Sequence, residues 1–546
     1  LRKYSQMLEL NPKFSIIDNE DAEDIIDLVK RELHFEKQTK AFPRKNRLYE
    51  IISAVRNRDL SIHEIIQNEF SGILQYESEI ESIYAGYTLY KKKHHVFDYD
   101  DLMEYLRDSL RKNDNFRMRV QMSFSHIMVD EYQDTNVIQR DIIDILADTH
   151  KNLMVVGDDS QSIYSFRGAS FENIVSFPSR YPDVTIIKIE QNYRSSQQVL
   201  DFSNAIVSNM QLGYKKRLFS DHTAGIKPKI ISLYQQEDEA QLIVKMILQF
   251  REQGIPFHHI AVLYRATYHG NYIQAELLKR NIPYVVYGGL RFVERRHVKD
   301  LIAYLRLLLN VYDAISWNRV LKLISGVGSA TCEKIINIIM LNRGNLDIKE
   351  FKNKSFSKSL EELFVTLSYA ASEKLSLSEK IELLQNYYYP MLKTIEADAF
   401  KRIQDIEILK QLSAKYQNDE LEKFLTDFAL DPPSQKFQDR ITPLINESEE
   451  KPLVLSTIHS AKGLEWDMIF IPHLLDGIFP VAKSLKDLES LEEERRLFYV
   501  ACTRAKERLI LTFPSYIASW DAYFTQPSRF LVEIPQEYYT YGADEL

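Results

Sequence analysis

The chain has 546 residues, of which 45% are hydrophobic, and this length and composition can form several hydrophobic cores rather than one. Its net charge of −9 argues against a protein that coats nucleic acid through bulk positive charge, although a local basic groove is not excluded. The two cysteines, Cys332 and Cys502, match neither a disulfide framework nor a zinc site. No apolar run reaches the roughly 20 residues that span a bilayer. We therefore expect a cytoplasmic protein with no membrane segment.

The periodicity of apolar residues changes several times along the chain. Residues 15–95 are predicted to be almost wholly helical, because apolar positions recur at helical spacing and glycine and proline are few. From about residue 97 to 190, short apolar runs alternate with helical segments, in the order "HIMVD", "VIQRDIIDILADT", "LMVVGDD" and "VTIIKIEQN". The alternation resumes with "HIAVLYRA" and "YVVYGG", stops for a helical stretch over 296–450, and returns with "PLVLSTIH", "DMIFIPHL" and "RLILTFP". This order predicts two α/β domains with parallel sheets, each interrupted by a helical insertion.

The run "HIMVD" is predicted to be a buried strand that ends in two adjacent carboxylates, Asp130 and Glu131. In open α/β sheets, ligands bind at the carboxyl ends of the strands. There one carboxylate can hold Mg²⁺, and the second can deprotonate a water that attacks a nucleotide phosphate. For this motif alone, an acidic pair that only complements a helix dipole is the alternative.

The next predicted strand leads into "VVGDDSQSIYSFRGA". A glutamine at 161 can sense a nucleotide γ-phosphate by hydrogen bonding, and Tyr164, Phe166 and Arg167 follow within a few residues. Aromatic side chains in such a loop can stack on unpaired bases. The alternative is an ordinary loop whose aromatic residues, Phe166 among them, pack inward.

Arginines follow the later predicted strands. Arg194 comes directly after the third strand in "QNYRSS", and "EEERRLFYVACTRAKERL" places Arg495, Arg496 and Arg504 on a predicted helix that leads to the last strand. Arginines supplied by a second domain can neutralise the charge that develops on a γ-phosphate during transfer. Surface salt bridges are the alternative.

Taken in order, these motifs resemble those of the UvrD, PcrA and Rep group of superfamily 1 DNA helicases. The matching segments are "FDYDDLMEYL", "MVDEYQDTN", "VVGDDSQSIYSFRGA", "QNYRSS", "VYGGLRFVERRHVKDLIAYLRLL", "LSTIHSAKGLEWDMIFIPHLLDGIFP" and "EEERRLFYVACTRAKERL". The resemblance extends over nearly the whole chain. It implies two RecA-like domains that close on ATP at their interface and move 3′ to 5′ along one DNA strand, in DNA repair or replication.

The resemblance also implies a role for each matching residue. It assigns Asp130 to Mg²⁺ and Glu131 to the general base. The residues implied to contact ATP, at the γ-phosphate or near the ribose, are Gln161, Arg194, Arg504 and Glu465. The residues implied to touch single-stranded DNA are Tyr164, Phe166, Arg167, Thr457 and His459.

Two of the implied DNA contacts have qualifications. Phe166 stands where relatives often have tryptophan, so it keeps a stacking face with less area. A structurally hydrogen-bonded histidine is the alternative for His459.

The resemblance does not extend to the family's phosphate loop. Relatives contain G-x-x-x-x-G-K-[ST], whose amides cradle phosphates, whereas these 546 residues contain no Gly-Lys dipeptide. The opening "LRKYSQMLEL" resembles a family region that follows an early DNA-contact motif. We therefore expect a helicase fragment whose first sheet lacks its phosphate-binding strand, and little ATPase activity from a chain of this extent.

The expected domains follow from the resemblance. In chain order they are a remnant of the first RecA-like domain (1–14), its helical insertion (15–95), its Walker B half (96–188), the first part of the second RecA-like domain (189–295), the helical insertion of that domain (296–450) and its second part (451–546). The expected cofactors are ATP and Mg²⁺. The expected partners are single-stranded DNA, junctions of single strand with duplex, and repair or replication proteins, in a nucleoid-associated cytoplasmic location.

Two other classes of protein share some of these motifs. Helicase-nucleases of the RecB or AddA type continue into a C-terminal nuclease domain, for which the sequence after "RLILTFP" leaves no room. A non-catalytic DNA-binding or regulatory paralogue that lacks a phosphate loop remains the alternative.

Overall fold

The computed structural model describes most of the chain and divides it into two compact units. The described residues are 1–10, 14–17, 19–35, 42–58, 60–94, 96–288, 295–341, 348–395, 399–413, 416–417, 420–429, 451–517 and 523–542. Unit 1 comprises Leu1–Glu190, Val207–Arg217 and Leu488–Tyr499. Unit 2 comprises Gln191–Ile206, Leu218–Asp487 and Val500–Leu546. Residues 289–294 of the motif "VYGGLRFVERRHVKD" lie outside the described residues.

Unit 1 is mainly helical, and the helices predicted for residues 15–95 are confirmed over the described part of that range. Its helices are α1 (Asn19–Glu32), α2 (Lys45–Arg58), α3 (Ile62–Glu69), α4 (Glu77–His94), α5 (Tyr99–Lys112), α6 (Asp114–Gln121), α7 (Val137–Ala147), α8 (Glu172–Val175) and α9 (Phe177–Arg180). Reciprocal capping boxes begin three of them, with Ser61, Asp98 and Asn136 as the N-cap residues of α3, α5 and α7. These caps satisfy amides that the first helical turn leaves without intrahelical partners.

A buried ion cluster joins α2 to the start of α5. Arg56 contacts Asp98, Asp101 and Glu104, and Lys91 also pairs with Asp98. Burial by itself would raise the pKa of Asp98. The charges of Arg56 and Lys91 outweigh burial and lower this pKa to about 2. The capping aspartate of α5 is therefore charged and held by two cations.

The strands of unit 1 are short. They are β1 (Ser15–Ile16), β2 (Val96–Phe97), β3 (Ile127–Val129) and β4 (Leu153–Val155). They form two parallel pairs, β1 with β2 and β3 with β4. The strands predicted in "HIMVD" and "LMVVGDD" are confirmed, but the expected burial of the first is wrong, because Met128 is 76% exposed.

The strand predicted in "VTIIKIEQN" does not form. Residues 184–190 are described, and none of them belongs to a strand. Ile186, Ile187 and Ile189 are exposed. Strand propensity alone does not make a strand, because a ladder needs a neighbouring backbone that supplies hydrogen bonds.

Unit 2 contains a seven-stranded sheet in the order β13-β5-β10-β9-β6-β8-β7. The strands of unit 2 are β5 (Lys229–Leu233), β6 (Ile260–Tyr264), β7 (Tyr284–Tyr287), β8 (Leu453–Thr457), β9 (Trp466–Ile471), β10 (Ala505–Pro514), β11 (Tyr516–Ile517), β12 (Tyr523–Phe524) and β13 (Thr540–Tyr541). Every pair in the large sheet is parallel, for example β6 with β8 and β9 with β10. The predicted α/β fold with parallel sheets is thus confirmed.

Helices of unit 2 surround this sheet and continue into the predicted helical stretch. They are α10 (Gln197–Ser208), whose last two residues belong to unit 1, α11 (Gln236–Glu252), α12 (Asn271–Lys279), α13 (Arg296–Leu309), α14 (Ala314–Leu321), α15 (Ser329–Leu341), α16 (Ser357–Ala370), α17 (Leu377–Ile395), α18 (Ala399–Ser413), α19 (Leu421–Ala429), α20 (Ile458–Ala461) and α22 (Arg529–Val532). Helix α21 (Leu488–Cys502) belongs to unit 1 up to Tyr499 and ends in unit 2. One hydrophobic core joins the sheet to helices α11 to α19, with Val262 and Phe470 from strands and Leu301, Trp317 and Leu384 from helices. Among the described residues, no helix is long and apolar enough to cross a membrane.

Candidate functional site

The two adjacent carboxylates lie directly after β3. The Oδ1 atom of Asp130 accepts a hydrogen bond from the Glu131 amide at 2.9 Å, and both residues are exposed. Glu131 has a left-handed backbone, with φ at 50°, a conformation that is uncommon for a residue with a side chain and that clusters at functional sites. An exposed oxygen ligand at the carboxyl end of a parallel strand fits Mg²⁺, which prefers oxygen atoms and retains several waters.

Gln133 is a residue of this site that sequence reasoning missed. Its side chain is fully buried, and its Nε2 atom donates to Glu131 Oε2 at 2.5 Å. Its Oε1 atom accepts from the Asp158 amide at 3.0 Å. Gln133 therefore connects the loop after β3 with the loop after β4. Its position in the sequence, two residues after Glu131, did not indicate this role, because Asp158 comes within hydrogen-bond distance of Gln133 only in the folded chain.

The loop after β4 begins with an acidic cluster. Asp158 accepts hydrogen bonds from the Ser160 amide and from Nε2 of Gln161, the latter at 2.9 Å, and it forms an ion pair with Lys216. Asp159 is buried and accepts from the Tyr214 amide at 2.8 Å. Burial raises the pKa of Asp159. The structure thus places Gln161 on the same loop as Asp158 and Asp159. The hydrogen bond to Asp158 fixes the orientation of the Gln161 side-chain amide.

Two aromatic residues follow Gln161 by a few residues, and Phe166 is exposed whereas Tyr164 is half-buried. The rings of Tyr164 and Phe166 lie 6.0 Å apart, and the Arg167 guanidinium lies over both rings at 5.5 and 5.6 Å. Phe166 is 56% exposed. The alternative of an inward-packed Phe166 is wrong, and the loop presents a platform of two aromatic rings and one cation.

The same loop is held by α2 and α21. Ser165 donates its amide and its hydroxyl to the Glu493 carboxylate. Arg496 donates to the Ser162 carbonyl at 2.8 Å, and its guanidinium lies 4.3 Å from the Phe171 ring centre. From α2, Arg58 donates to the Ser165 carbonyl at 3.3 Å.

The arginines of α21 differ from their predicted setting. Arg495 and Arg496 are buried, so the surface salt bridge alternative is wrong for them. Arg495 pairs with Glu492 at 3.0 Å, and burial lowers the pKa of Arg496. Both lie in the stretch Leu488–Tyr499, which belongs to unit 1. Their supply by a second domain stays a prediction.

Arg504 follows the end of α21 rather than lying on the helix. Its guanidinium is buried and donates to the Val500 and Leu464 carbonyls, at 3.2 and 3.4 Å. Backbone carbonyls of unit 2 therefore fix the direction of this side chain, and the surface salt bridge alternative is wrong for Arg504 as well.

Arg194 and Glu465 are brought together in unit 2. Arg194 Nε donates to one oxygen of the Glu465 carboxylate, and Lys506 Nζ lies 3.0 Å from the other oxygen. Hydrogen bonds from Lys506 and Arg194 lower the pKa of Glu465. All three side chains remain partly exposed. The arrangement is a carboxylate between two cations.

Thr457 and His459 lie at the carboxyl end of β8. Thr457 is the N-cap of α20, and its hydroxyl accepts from the Ser460 amide. Gly288 approaches this cap closely, since a Cβ atom there would lie 2.7 Å from the Thr457 hydroxyl oxygen. His459 is partly exposed in the first turn of α20. The two residues share one short segment, and their role in DNA binding stays a prediction.

Comparison with known proteins identifies relatives over the whole chain. A family model described as "UvrD/REP helicase N-terminal domain" matches residues 1–182, and one described as "UvrD-like helicase C-terminal domain" matches residues 187–516. The ATP-dependent DNA helicase Rep of Buchnera aphidicola subsp. Acyrthosiphon pisum (strain APS) is 32% identical over 556 residues, which cover 98% of this chain and 84% of that protein. The ATP-dependent DNA helicase PcrA of Staphylococcus aureus (strain Mu50 / ATCC 700699) is 32% identical over 564 residues, 98% of this chain and 74% of that protein. A probable DNA helicase II homolog of Mycoplasma capricolum subsp. capricolum is 32% identical over 568 residues, 100% of this chain and 76% of that protein.

Proposed function

Because the chain belongs to the UvrD-like helicase family, we propose that it is an ATP-dependent DNA helicase that moves 3′ to 5′ on single-stranded DNA and unwinds duplex in DNA repair or replication. The observation that supports this most directly is the loop from Gly157 to Ala169. It contains Gln161, hydrogen-bonded to the Asp158 carboxylate, and the platform of Tyr164, Phe166 and Arg167, of which Phe166 and Arg167 are exposed. One loop can therefore report a change at a phosphate to a DNA base.

The proposed chemistry of unit 1 is hydrolysis of the γ-phosphate of ATP. Asp130 would hold Mg²⁺, which when bound neutralises charge on the phosphates. Glu131 would accept a proton from the attacking water, and Gln161 would hydrogen-bond to the γ-phosphate. The exposure of the two carboxylates and the hydrogen bond from Gln133 to Glu131 support these roles.

Residues of unit 2 are proposed to serve the same nucleotide. Arg194 and Arg504 would contact the γ-phosphate, and Glu465 would lie near the ribose. The pairing of Arg194 with Glu465 and the carbonyl-fixed guanidinium of Arg504 support them as oriented groups. An arginine whose direction is fixed in advance loses less entropy when it binds a phosphate.

The proposed DNA contacts come from both units. The platform of Tyr164, Phe166 and Arg167 would stack on bases, and Thr457 and His459 would contact the strand from the end of β8. The substrate would be single-stranded DNA or its junction with duplex, with repair or replication proteins as partners in a nucleoid-associated cytoplasmic location.

A non-catalytic DNA-binding or regulatory paralogue is the second candidate. It differs from the helicase in having no phosphate loop, whose lysine contacts phosphates in family members. ATPase assays with and without a deoxythymidine oligomer separate the two, run on the 546-residue chain and on the protein that its gene encodes. We expect little hydrolysis by the former and hydrolysis stimulated by the oligomer in the latter. Binding of the oligomer by the gene product without any hydrolysis would overturn the helicase proposal.

A further inference from the structure

Gln133 forms a buried link between two functional loops. Both polar atoms of its side-chain amide form hydrogen bonds. The nitrogen donates to the Glu131 carboxylate, and the oxygen accepts from the Asp158 backbone amide. The Glu131 carboxylate accepts and the Asp158 N–H donates, so only one orientation of the Gln133 amide satisfies both partners. The orientation of this side chain is therefore determined by chemistry and not only by packing.

The surroundings of Gln133 leave it little freedom. A Cβ atom added at Gly157 would lie 2.5 Å from Gln133 Oε1, so only glycine at 157 allows this approach. The Gln133 carbonyl accepts from the Ser162 hydroxyl at 3.2 Å. Both the backbone and the side chain of Gln133 thus contact the loop after β4.

The link has a direct path to Gln161. Asp158, whose amide donates to Gln133, accepts through its own carboxylate from the Gln161 side chain at 2.9 Å. Hydrogen bonds therefore run in series from Glu131 through Gln133 and Asp158 to Gln161. A displacement of the loop after β4 would pull on Gln133 and, through it, on the Glu131 carboxylate.

We propose that Gln133 is a positioning residue that aims the Glu131 carboxylate and ties its direction to the loop that contains Gln161. The inference rests on the proposed function, in which Glu131 is the general base. Gln133 itself contacts neither phosphate nor water in this mechanism. It acts through Glu131 by supplying one N–H donor, and through Asp158 by supplying one acceptor.

The first test uses the 546-residue chain and needs no ATP. Hydrogen exchange of the Asp158 amide is measured in the wild type, Gln133→Leu and Gln133→Glu. Gln133→Leu removes the acceptor, so this amide should exchange roughly tenfold faster, as loss of one hydrogen bond allows. Gln133→Glu keeps an acceptor and should leave the Asp158 amide protected. Equal exchange in the wild type and Gln133→Leu would overturn the link.

A matched control comes from Gln121. It is also buried in unit 1, and its Nε2 atom donates to the Ile145 carbonyl at 2.6 Å. Gln121→Leu removes a buried hydrogen bond between a glutamine side chain and the backbone without changing a residue of either functional loop. Faster exchange at the Asp158 amide in Gln121→Leu as well would mean a general loss of stability, and it would overturn a specific role for Gln133.

The second test measures ATP hydrolysis by the protein that the gene encodes. Gln133→Leu should lower kcat by about 10- to 100-fold with KM nearly unchanged, the range expected for loss of a hydrogen bond to a charged group. Gln133→Glu should also lower kcat, because it sets one carboxylate against another. In a Glu131→Gln background, Gln133→Leu should have no further effect, since there is then no base to aim.

The outcomes separate this inference from the proposed function. If Glu131→Gln abolishes hydrolysis while Gln133→Leu retains full kcat, the proposed function stands and the role of Gln133 is wrong. If Gln133→Leu reduces hydrolysis by the same factor with and without Glu131, its effect is structural and the inference is overturned. If Glu131→Gln changes nothing, the general-base assignment fails together with the inference.

Discussion

Two of the parallel sheets, the seven-stranded sheet of unit 2 and the β3–β4 pair of unit 1, place similar apolar runs in opposite environments. In unit 2, all residues of β6 are buried, and β8 and β9 lie on either side of it. In unit 1, β3 and β4 have only each other as described strand neighbours, and Met128 and Met154 are exposed at the centres of the two strands. The sequences "HIAVLYRA" and "HIMVD" nevertheless predict the same thing, a buried parallel strand.

The two regions differ in what they contribute to the protein: one contributes to the stability of the fold, and the other contains the residues of the proposed chemistry. The seven-stranded sheet of unit 2 belongs to the main hydrophobic core, so its strands bury apolar side chains and contribute to the stability of the fold. The β3–β4 pair of unit 1 buries little, but the loops that follow it contain Asp130, Glu131 and Gln161. Substitutions in the two regions should therefore change different quantities, and three experiments test whether they do.

The largest expected effect is on turnover. Glu131→Gln in the protein that the gene encodes should lower ATP hydrolysis by roughly 10² to 10⁴-fold, because it removes the general base. The thermal midpoint should stay within a few degrees of the wild type, since Glu131 is exposed. Steady-state rate and calorimetry on the same preparation provide the check. An unaltered rate would contradict the assignment of chemistry to the end of β3.

The second effect is on folding free energy. Leu263→Ala in β6 should lower the free energy of unfolding of unit 2 by about 2–5 kcal/mol, the cost of a core cavity, because Leu263 is completely buried. Met128→Ala in β3 is the matched change at a strand position that is exposed in the 546-residue chain, and in this chain it should cost less than about 0.5 kcal/mol. Urea unfolding followed by circular dichroism measures both. Equal losses in the two variants would mean that β3 is as buried as β6, against the comparison.

The smallest effect is on DNA affinity. Phe166→Ala should weaken binding of a deoxythymidine oligomer by about 1–3 kcal/mol, the contribution of one stacked base, and leave the thermal midpoint nearly unchanged because the ring is exposed. Phe116→Ala, at a buried ring of the same unit, is the control that should destabilise without a loss of affinity per folded molecule. Fluorescence anisotropy and thermal unfolding separate the two. Reduced stability with unaltered affinity in Phe166→Ala would end the stacking proposal.

The sequence predicted most of the strands and the local content of the site. Motif spacing was sufficient to place Gln161 and Phe166 on one loop and Asp130 and Glu131 at one strand end, because these relations are local. It failed where the outcome depends on neighbours distant in sequence. The segment "VTIIKIEQN" has strand propensity but forms only an isolated bridge, from Gln191 to Phe219, and Gln133 acquires its role from Asp158. The burial of Arg496 likewise depends on contacts with Ser162 and Phe171.

The division of unit 1 into three stretches of chain has a consequence for its synthesis. Glu493 and Arg496, which hold the loop after β4, belong to the stretch Leu488–Tyr499. A nascent chain that ends before Leu488 can form the helices and the β3–β4 pair of unit 1, yet it lacks these two anchors. Since domains fold as units during translation, the aromatic platform should reach its final geometry only after nearly all of unit 2 has left the ribosome. A prematurely ended polypeptide would thus display the platform without the contacts from Glu493 and Arg496, and only Arg58 of α2 would hold Ser165.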